Sequence, residues 1–305
     1  MKIDIPYLVG ESRLVYPAAP SYATEKWFIN DHCFVIDREG TVHFLGINNP
    51  YPEDLNQLYV VHPFLGHAVT KNPLESWERK ADALDDSGES RYLGAAYVVW
   101  LEDQRCYVML FESKIDGHRV LELAYSEDLY KWERSRQKIL SNLPETTRDP
   151  CIVQMEDSRF FIYLCTPNPE GSSITVTETR DFKTFEHTRI CLNLKDGVTY
   201  GGMESPLMIR HNGLFYLFFT YAHRHYYEEI VCVSDKPDEF SMDRVVTTLY
   251  GHACELLNWQ GKTYISSCGP EDSQNLNNHG LYLAELRWLP QDYKNRIKRK
   301  LAKSF

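Results

Sequence analysis

The feature that most constrains the fold of this 305-residue chain is an internal repeat of about 50 residues. Each repeat consists of an apolar strand, a polar turn and an aromatic strand. Turns of two to four residues join the paired strands and predict hairpins. Five such units are present: DHCFVIDREGTVHFLGI (31–47), GAAYVVWLEDQRCYVMLF (94–111), DPCIVQMEDSRFFIYLC (149–165), ESPLMIRHNGLFYLFFT (204–220) and HACELLNWQGKTYISSC (252–268).

A further strand and a turn capped by an aromatic residue follow four of the hairpins, whereas the fifth unit ends in GLYLAELRW (280–288). Repeats of four short antiparallel strands are typical of a β-propeller. The sequence therefore predicts an all-β, single-domain, five-bladed propeller over residues 1–290. We expect residues 1–30 to supply a closing strand to the last blade, and residues 291–305 to form a short basic helix or tail. The predicted blades lie near 31–90, 91–145, 146–200, 201–250 and 251–290.

Charge and hydropathy narrow the range of partners. The chain has 33 Lys and Arg against 43 Asp and Glu, so its formal charge of −10 argues against nucleic acid. The basic cluster between Lys294 and Lys303 is interpreted as a solvated terminal helix. No apolar run approaches the roughly 18 residues of a membrane helix, and MKIDIPYLVGES lacks the features of a signal peptide. We therefore expect a cytoplasmic protein without a membrane partner, whose oligomeric state the sequence leaves open.

The cysteines favour a reduced protein. Most of the eight lie inside apolar, strand-like runs, and no CxxC pair occurs. Buried thiols are therefore expected rather than a disulfide framework or a zinc site, although an even number of cysteines leaves bridges open.

Acidic residues stand at the start of three of the five hairpins, namely Asp31, Asp149 and Glu204. Each of them alone is explained by a turn, because Asp-Pro and Ser-Pro commonly begin turns. In a propeller, however, equivalent strand starts converge at one mouth of the central channel. When carboxyls are held together in a pocket, their like charges raise the pKa of at least one of them. Glycoside hydrolysis requires such a pair, with one protonated acid beside an ionised one.

Four motifs resemble glycoside hydrolase family 32. WFIND (27–31) is similar to its Trp-Met-Asn-Asp opening, RDP (148–150) matches its Arg-Asp-Pro motif, and ESP (204–206) occupies the place of Glu-Cys-Pro. GHAVTK (66–71) resembles its Gly-His-Ala-Thr-Ser segment. Asp31 lacks the following Pro-Asn-Gly, and the chain has no room for a C-terminal β-sandwich. Both departures favour the related family 43 of arabinanases and xylosidases, which shares the propeller and the Asp, Asp, Glu order.

The resemblance implies a role for each acid. Glu204 resembles the general acid, and Asp31 resembles either the nucleophile of the fructosidases or the water-activating base of the arabinanases. Asp149 would bind substrate hydroxyls and tune the acid. Arg148 would bind sugar hydroxyls or Asp149. Glu255 is the competing acid, but we expect it deeper in the blade as a structural partner.

Other side chains are weaker candidates for the substrate site. Asn30 and Trp27 adjoin Asp31, and the Trp27 indole is suited to stacking on a sugar ring. His67 and His252 are expected near the channel mouth as hydrogen-bonding supports. Family 43 also implies an axial cation near a histidine of blade five, which His252 matches by position. The sequence itself has no cluster with metal-ligand spacing, so neither a metal site nor a cofactor is predicted.

The motifs predict hydrolysis of terminal glycosidic bonds in an oligosaccharide or a small glycoside, either a furanoside or a pyranoside, with β-fructofuranosides favoured over arabinofuranosides and xylosides. The alternatives are an inverting arabinofuranosidase or β-xylosidase, and a non-catalytic carbohydrate-binding propeller, because fold alone does not give function. The chain has no Gly-x-Ser-x-Gly elbow and no phosphate-binding glycine loop. Three acids at equivalent channel positions favour the enzyme over the binding module.

Overall fold

The computed structural model describes residues 2–198, 201–269 and 279–291. Its strands form five antiparallel sheets that are the blades of a β-propeller, which confirms the predicted fold. Four sheets consist of strands that are consecutive in the chain, the first of them with one short strand more, and the fifth combines the first strand of the chain with the last three. The innermost strands of blades one to four lie side by side around the axis, and that of blade five adjoins blade one.

The bounds of the strands follow the repeats closely. The chain begins with β1 (Asp4–Tyr16), which belongs to the last blade. Blade one consists of β2 (Trp27–Ile36), β3 (Val42–Pro50), β4 (Phe64–Thr70), β5 (Glu78–Arg79) and β6 (Leu84–Asp85). Blade two consists of β7 (Leu93–Leu101), β8 (Cys106–Ile115), β9 (His118–Ser126) and β10 (Glu133–Arg134).

The remaining blades have the same order of strands. Blade three consists of β11 (Arg148–Gln154), β12 (Phe160–Asn168), β13 (Gly171–Thr179) and β14 (Glu186–Asn193). Blade four consists of β15 (Met203–His211), β16 (Leu214–Tyr221), β17 (Glu228–Ser234) and β18 (Val245–Tyr250). Blade five consists of β19 (Leu256–Trp259), β20 (Lys262–Ser267), β21 (Leu281–Pro290) and β1. Two short 3-10 helices, Leu55–Gln57 and Met242–Arg244, lie in connecting loops.

The hairpin turns have the backbone that their residues favour. In the turn between β15 and β16, Asn212 and Gly213 both have positive φ, at 49° and 77°. Asn and Gly are the residues that adopt this conformation most easily, and such turns match the twist of the paired strands. Asp37 serves the first hairpin in another way, because its Oδ1 accepts the amides of Glu39 and Thr41 at 2.9 and 2.8 Å.

The N-terminal strand closes the ring, as the sequence predicts. β1 pairs antiparallel with β21 and covers the outer edge of blade five. Its Asp4 also contacts blade four, where its carboxylate accepts hydrogen bonds from His211 at 3.0 Å and Asn212 at 2.6 Å. The His211 ring stacks on Trp288 of β21 with ring centres 4.0 Å apart. β1 therefore pairs with the outer edge of β21, and the contacts of Asp4 and Trp288 join blade five to blade four.

The core lies between neighbouring blades. Phe28 and Phe111 pack between blades one and two, and Tyr163 and Phe218 lie in the cluster that joins blades three, four and five. Burying a large apolar side chain contributes roughly 1.5–3 kcal/mol. All eight cysteines are free thiols and seven of them are buried, as the apolar context of the cysteines predicts.

No helix among the described residues is long and apolar enough to cross a membrane. The basic tail predicted for residues 291–305 lies, except for Gln291, outside the described residues.

Candidate active site

The innermost strand of every blade is interrupted near its start by a two-residue bulge. The ladder breaks between Ile29 and His32 in blade one, and at corresponding places in blades two, three and four. In blade five the bulge lies between His252 and Glu255, whose carbonyl oxygens accept the amides of Cys268 and Ser266. A β-bulge bends its strand and changes the direction of its side chains. The five bulges therefore shape one end of the channel.

The three predicted acids occupy neighbouring rather than identical positions of this bulge. Glu204 is the last paired residue before the bulge of blade four, Asp149 is the first bulge residue of blade three, and Asp31 is the second bulge residue of blade one. The expectation of equivalent positions is therefore wrong by one residue from blade to blade. All three nevertheless line one cavity, because the bulge breaks the strict alternation of side chains.

In blades three, four and five the first bulge position has an unusual backbone. Asp149 has φ of 55°, Ser205 has φ of 50° and Ala253 has φ of 48°. Non-glycine residues in this left-handed region cost about 1–2 kcal/mol each, although Asp is among those that tolerate it best. Outliers of this kind persist only where surrounding contacts hold them, and they are concentrated at functional sites.

Hydrogen bonds join the bulges of four blades. The Ser205 amide donates to Asp149 Oδ2 at 3.1 Å, and the Ser205 hydroxyl donates to Asp31 Oδ1 at 2.5 Å. The Asp149 amide donates in turn to Oε1 of Glu112, a residue of β8, at 3.2 Å. Two of the predicted acids are thus held through one serine, which stands where the family 32 motif has cysteine.

Arg148 balances the charge of two of the acids. Its Nε lies 3.3 Å from Asp149 Oδ2, and its terminal nitrogen lies 3.5 Å from Glu204 Oε1. The same terminal nitrogen donates to the Met203 carbonyl at 3.0 Å, which fixes the guanidinium. Of the two partners proposed for Arg148 from the sequence, the structure shows Asp149, together with Glu204.

The environment of Asp31 favours its protonated form. Burial raises the pKa of Asp31 well above its usual range, and the charges of Asp149, Glu204 and Glu112 raise it further. The hydrogen bond from Ser205 opposes this change. Because like charges in a buried pocket do not all ionise readily, the site retains a proton that acid–base chemistry can use.

The acids lie in a cavity that opens to solvent. It contains about 490 Å³ of empty space, part of which is open solvent. Its lining includes the carboxyls, Arg148 and three tyrosines: Tyr59, Tyr92 and Tyr226. Asn30 also lines the cavity, and its buried Oδ1 has no hydrogen-bond partner. Such an acceptor is suited to a sugar hydroxyl.

Three predicted substrate-binding residues do not reach this cavity. The Trp27 indole is buried in the core between blades five and one, where the Arg79 guanidinium covers it at 4.8 Å. His67 lies on the third strand of blade one, and its Nε2 is 2.9 Å from Nδ1 of His43. His252 is buried behind Tyr226, with ring centres 3.8 Å apart. The structure does not bring these three side chains to the cavity, because nearness to a motif in sequence does not show which way a side chain faces.

Two cavity residues have no motif in the sequence. Tyr226 lies in the loop before β17, and its buried hydroxyl has no partner. Glu112 lies on the second strand of blade two and is 3% exposed. The available signal was a carboxylate directly after the apolar run 106–111 of β8. Glu255 borders the narrow channel beneath the cavity together with Asp31, and burial followed by the Asp31 charge raises its pKa well above the usual range.

The described residues do not fit the axial cation that family 43 implies. No three His, Cys, Asp or Glu side chains in residues 2–198, 201–269 and 279–291 are grouped as a metal site requires. The His252 ring stacks on Tyr226, with ring centres 3.8 Å apart. We therefore derive no catalytic step through a cation.

Comparison with known proteins identifies the fold. No family model matches the sequence, and no curated protein matches it. Solved structures do match. The RS223 β-xylosidase has a TM-score of 0.68 and 16% identity, with 91% of this chain and 95% of that chain covered. CoXyl43, a family 43 β-xylosidase/α-arabinofuranosidase from a compost microbial metagenome, has a TM-score of 0.66 and 15% identity over 93% and 95%.

A family 32 structure is similar as well. The β-fructofuranosidase of Bombyx mori has a TM-score of 0.61 and 16% identity, and the match covers 91% of this chain and 63% of that chain. At these identities the likeness establishes the fold. The chain therefore has the five-bladed propeller fold that these family 43 and family 32 structures also have.

Proposed function

We propose that this protein hydrolyses terminal glycosidic bonds of small glycosides. The observation that carries the proposal is the convergence of Asp31, Asp149 and Glu204 in one cavity, where Arg148 and Ser205 hold them in a fixed arrangement. A pair of carboxyls, one protonated and one ionised, is the equipment for this reaction. The propeller fold that the chain shares with known glycosidases supports this function, but the argument for it depends on the residues of the site.

Glu204 is proposed as the general acid. Its side chain is 23% exposed against 8% for Asp149, so it is the more accessible of the two to a leaving-group oxygen. Asp149 is held by Arg148 and by the Ser205 amide. We assign Asp149 to the binding of substrate hydroxyls and to the electrostatics of the site, without proton transfer.

Asp31 is proposed as the nucleophile or as the base that activates water. The Ser205 hydroxyl fixes its orientation and opposes the rise in its pKa. Either role requires that Asp31 is ionised and that Glu204 carries the proton when the substrate is bound. Retention corresponds to carboxyls of Asp31 and Glu204 roughly 5–5.5 Å apart, and inversion to roughly 6.5–9.5 Å. The anomeric configuration of the first product, read by NMR, distinguishes the two roles.

Among substrates we favour β-fructofuranosides, on the basis of the Arg-Asp-Pro motif at 148–150. A specific observation supports arabinofuranosides or xylosides as the second candidate. The matches to the two xylosidases cover 95% of each of those chains, whereas the match to the fructofuranosidase covers only 63%. The third candidate is a propeller that binds carbohydrate without cleaving it.

The test is a screen of the purified chain against nitrophenyl glycosides, sucrose, inulin and arabinan, with Asp31→Asn as the inactive control. Release from fructans alone supports the first candidate, and release from arabinosides or xylosides supports the second. Glu204→Gln should lose turnover on substrates with poor leaving groups and largely keep it on activated ones, because only the former need protonation. Sugar binding without release from any substrate would favour the binding module.

A further inference from the structure

A fourth carboxyl lies in the cavity, and it comes from a different strand. Glu112 is on β8, the second strand of blade two, and lines the cavity with the three predicted acids. Gly94, in the bulge of β7, provides the space. A Cβ at Gly94 would lie 2.7 Å from the Glu112 Cβ and 3.0 Å from its Oε2. Blade two has no acid at its bulge, and the glycine there admits one from the neighbouring strand.

Both oxygens of Glu112 accept hydrogen bonds. The Tyr92 hydroxyl donates to Oε2 at 2.8 Å, and the Asp149 amide donates to Oε1 at 3.2 Å. Tyr92 is itself held from several sides. Its ring centre is 4.6 Å from that of His62, and the Arg119 guanidinium and Lys114 ammonium lie 4.5 and 4.9 Å from it. The Glu112 carboxyl is therefore held by Tyr92, whose ring is in turn held by His62, Arg119 and Lys114.

The hydrogen bond between the Asp149 amide and Glu112 resembles the one between the Ser205 amide and Asp149 in the next blade. Asp149 and Ser205 are the first bulge residues of their blades, so their amides fall in the break of the strand ladder. Each of these amides donates instead to a carboxyl of the preceding blade. Glu112 therefore accepts the Asp149 amide in the same way that Asp149 accepts the Ser205 amide. The Ser205 hydroxyl adds a third hydrogen bond to this series by donating to Asp31.

We propose that Glu112 is a positioning residue, which holds the Asp149 peptide in its left-handed conformation and thereby orients the carboxyls of Asp149 and Asp31. The proposal rests on the proposed hydrolysis for its kinetic consequences. Glu112 acts through the Asp149 amide and need not contact the substrate. An amide left without an acceptor in this buried place would be free to leave a conformation that the backbone otherwise disfavours.

The charge of Glu112 reaches Asp31 as well. The titratable and charged groups around Glu112 are Tyr92, Arg119, Arg148, Asp149 and Asp31. Burial and the Asp149 charge raise the pKa of Glu112 to about 7, while the Tyr92 hydrogen bond and both arginines oppose the rise. When Glu112 ionises, its charge raises the pKa of Asp31. Removing the Glu112 charge should therefore shift the pH dependence of kcat/KM, whereas removing a merely structural residue should not.

Two substitutions separate the acceptor from the charge. Glu112→Gln keeps an oxygen for the Asp149 amide and removes the charge, whereas Glu112→Met keeps the volume and removes both. We expect Glu112→Met to lower kcat roughly ten- to hundredfold with little change in KM, as an unsatisfied buried amide implies. Glu112→Gln should keep kcat within about threefold at its optimum and move the acid limb of the kcat/KM profile to lower pH.

Glu229→Gln is the matched control. Glu229 is also a buried carboxyl whose pKa burial raises, and it accepts the Thr220 hydroxyl at 2.8 Å on β17. It does not line the cavity, and its carboxyl accepts the Thr220 hydroxyl and not the Asp149 amide. The Asp31 charge contributes to the raised pKa of Glu229, so the two carboxyls are coupled and this control is read in kcat alone. We expect kcat to stay as in the wild-type protein.

Crystal structures of the wild-type and Glu112→Met proteins test the positioning independently of activity. In the variant, Asp149 should leave φ near 55° and its carboxyl should move away from the Ser205 amide. An unchanged Asp149 in the variant, a wild-type kcat for Glu112→Met, or an equal loss in the Gln and Met variants would overturn the proposal. If the wild-type protein cleaves no glycoside, the proposed function fails, and the two crystal structures still decide the positioning.

Discussion

The raised pKa of Glu112 predicts that the stability of this fold depends on pH in a way that a single substitution removes. Burial and the charge of Asp149 raise the pKa of Glu112 from 4.5 in the unfolded chain to about 7 in the folded one. The folded state therefore holds this proton more tightly, so ionisation opposes folding. The stability associated with protonated Glu112 is complete below about pH 4.5 and is lost as the pH rises to about 7.

The magnitude follows from the two pKa values. At about 1.4 kcal/mol per pH unit, moving the pKa from 4.5 to about 7 corresponds to a loss of roughly 3 kcal/mol between acid and neutral pH. Glu112→Gln cannot ionise and keeps the shape of the side chain. The free energy of unfolding of the variant minus that of the wild-type protein should therefore increase by up to this amount between pH 5 and pH 8.

Denaturant unfolding of both proteins at several pH values between 5 and 8 measures this difference. Other buried acids, such as Glu229 and Glu255, remain in both proteins, and to first order their contributions cancel. Tyr92→Phe provides a second check, because it removes the hydroxyl that lowers the Glu112 pKa and should extend the loss of stability to higher pH. Parallel stability curves for wild-type and Glu112→Gln proteins across this range would refute the reasoning.

Three other substitutions have distinct expected effects. Ser205→Ala removes the hydroxyl that donates to Asp31, so the pKa of Asp31 should rise and the acid limb of kcat/KM should move up by about one to two pH units; an unmoved limb would contradict this. Trp27→Phe should lower the melting temperature and leave KM within about twofold, because the indole packs in the core; a large rise in KM would restore Trp27 as a sugar contact. Gly94→Ala should destabilise the fold by about 1–3 kcal/mol and reduce kcat, since its Cβ meets the Glu112 side chain; chemical unfolding and kinetics that match the wild-type protein would show that this space is not needed.

Local patterns in the sequence determined the architecture. Strands rich in β-branched and aromatic residues, separated by turns such as Asn212-Gly213, specify hairpins through contacts between near neighbours. Five repeats of one hairpin type then require five blades, because each blade buries its faces only against the next. The closing strand β1 was predictable for the same reason, since an unpaired edge on blade five calls for a partner.

The placement of the three acids was predictable only in part. Their position at strand starts led to the cavity, but the two-residue bulges shift Asp31, Asp149 and Glu204 by one position from blade to blade. Bulges depend on how a strand pairs with its partner, and nothing in the motif letters shows that register. For the same reason Trp27 and His67, which stand near or within motifs, face the core rather than the cavity.

Contacts between blades were decided by the tertiary structure alone. Glu112 and Asp149 are 37 residues apart, and Ser205 and Asp31 are 174 apart. The amide–carboxyl series that joins them exists only when the ring of blades closes, since each bond runs from one blade to another. The raised pKa values of Asp31 and Glu112 arise in the same way, from burial and from like charges that distant strands bring together. The sequence determines the chemical type of each side chain and the pairing of neighbouring strands. The direction and the environment of a side chain depend instead on residues far from it in sequence.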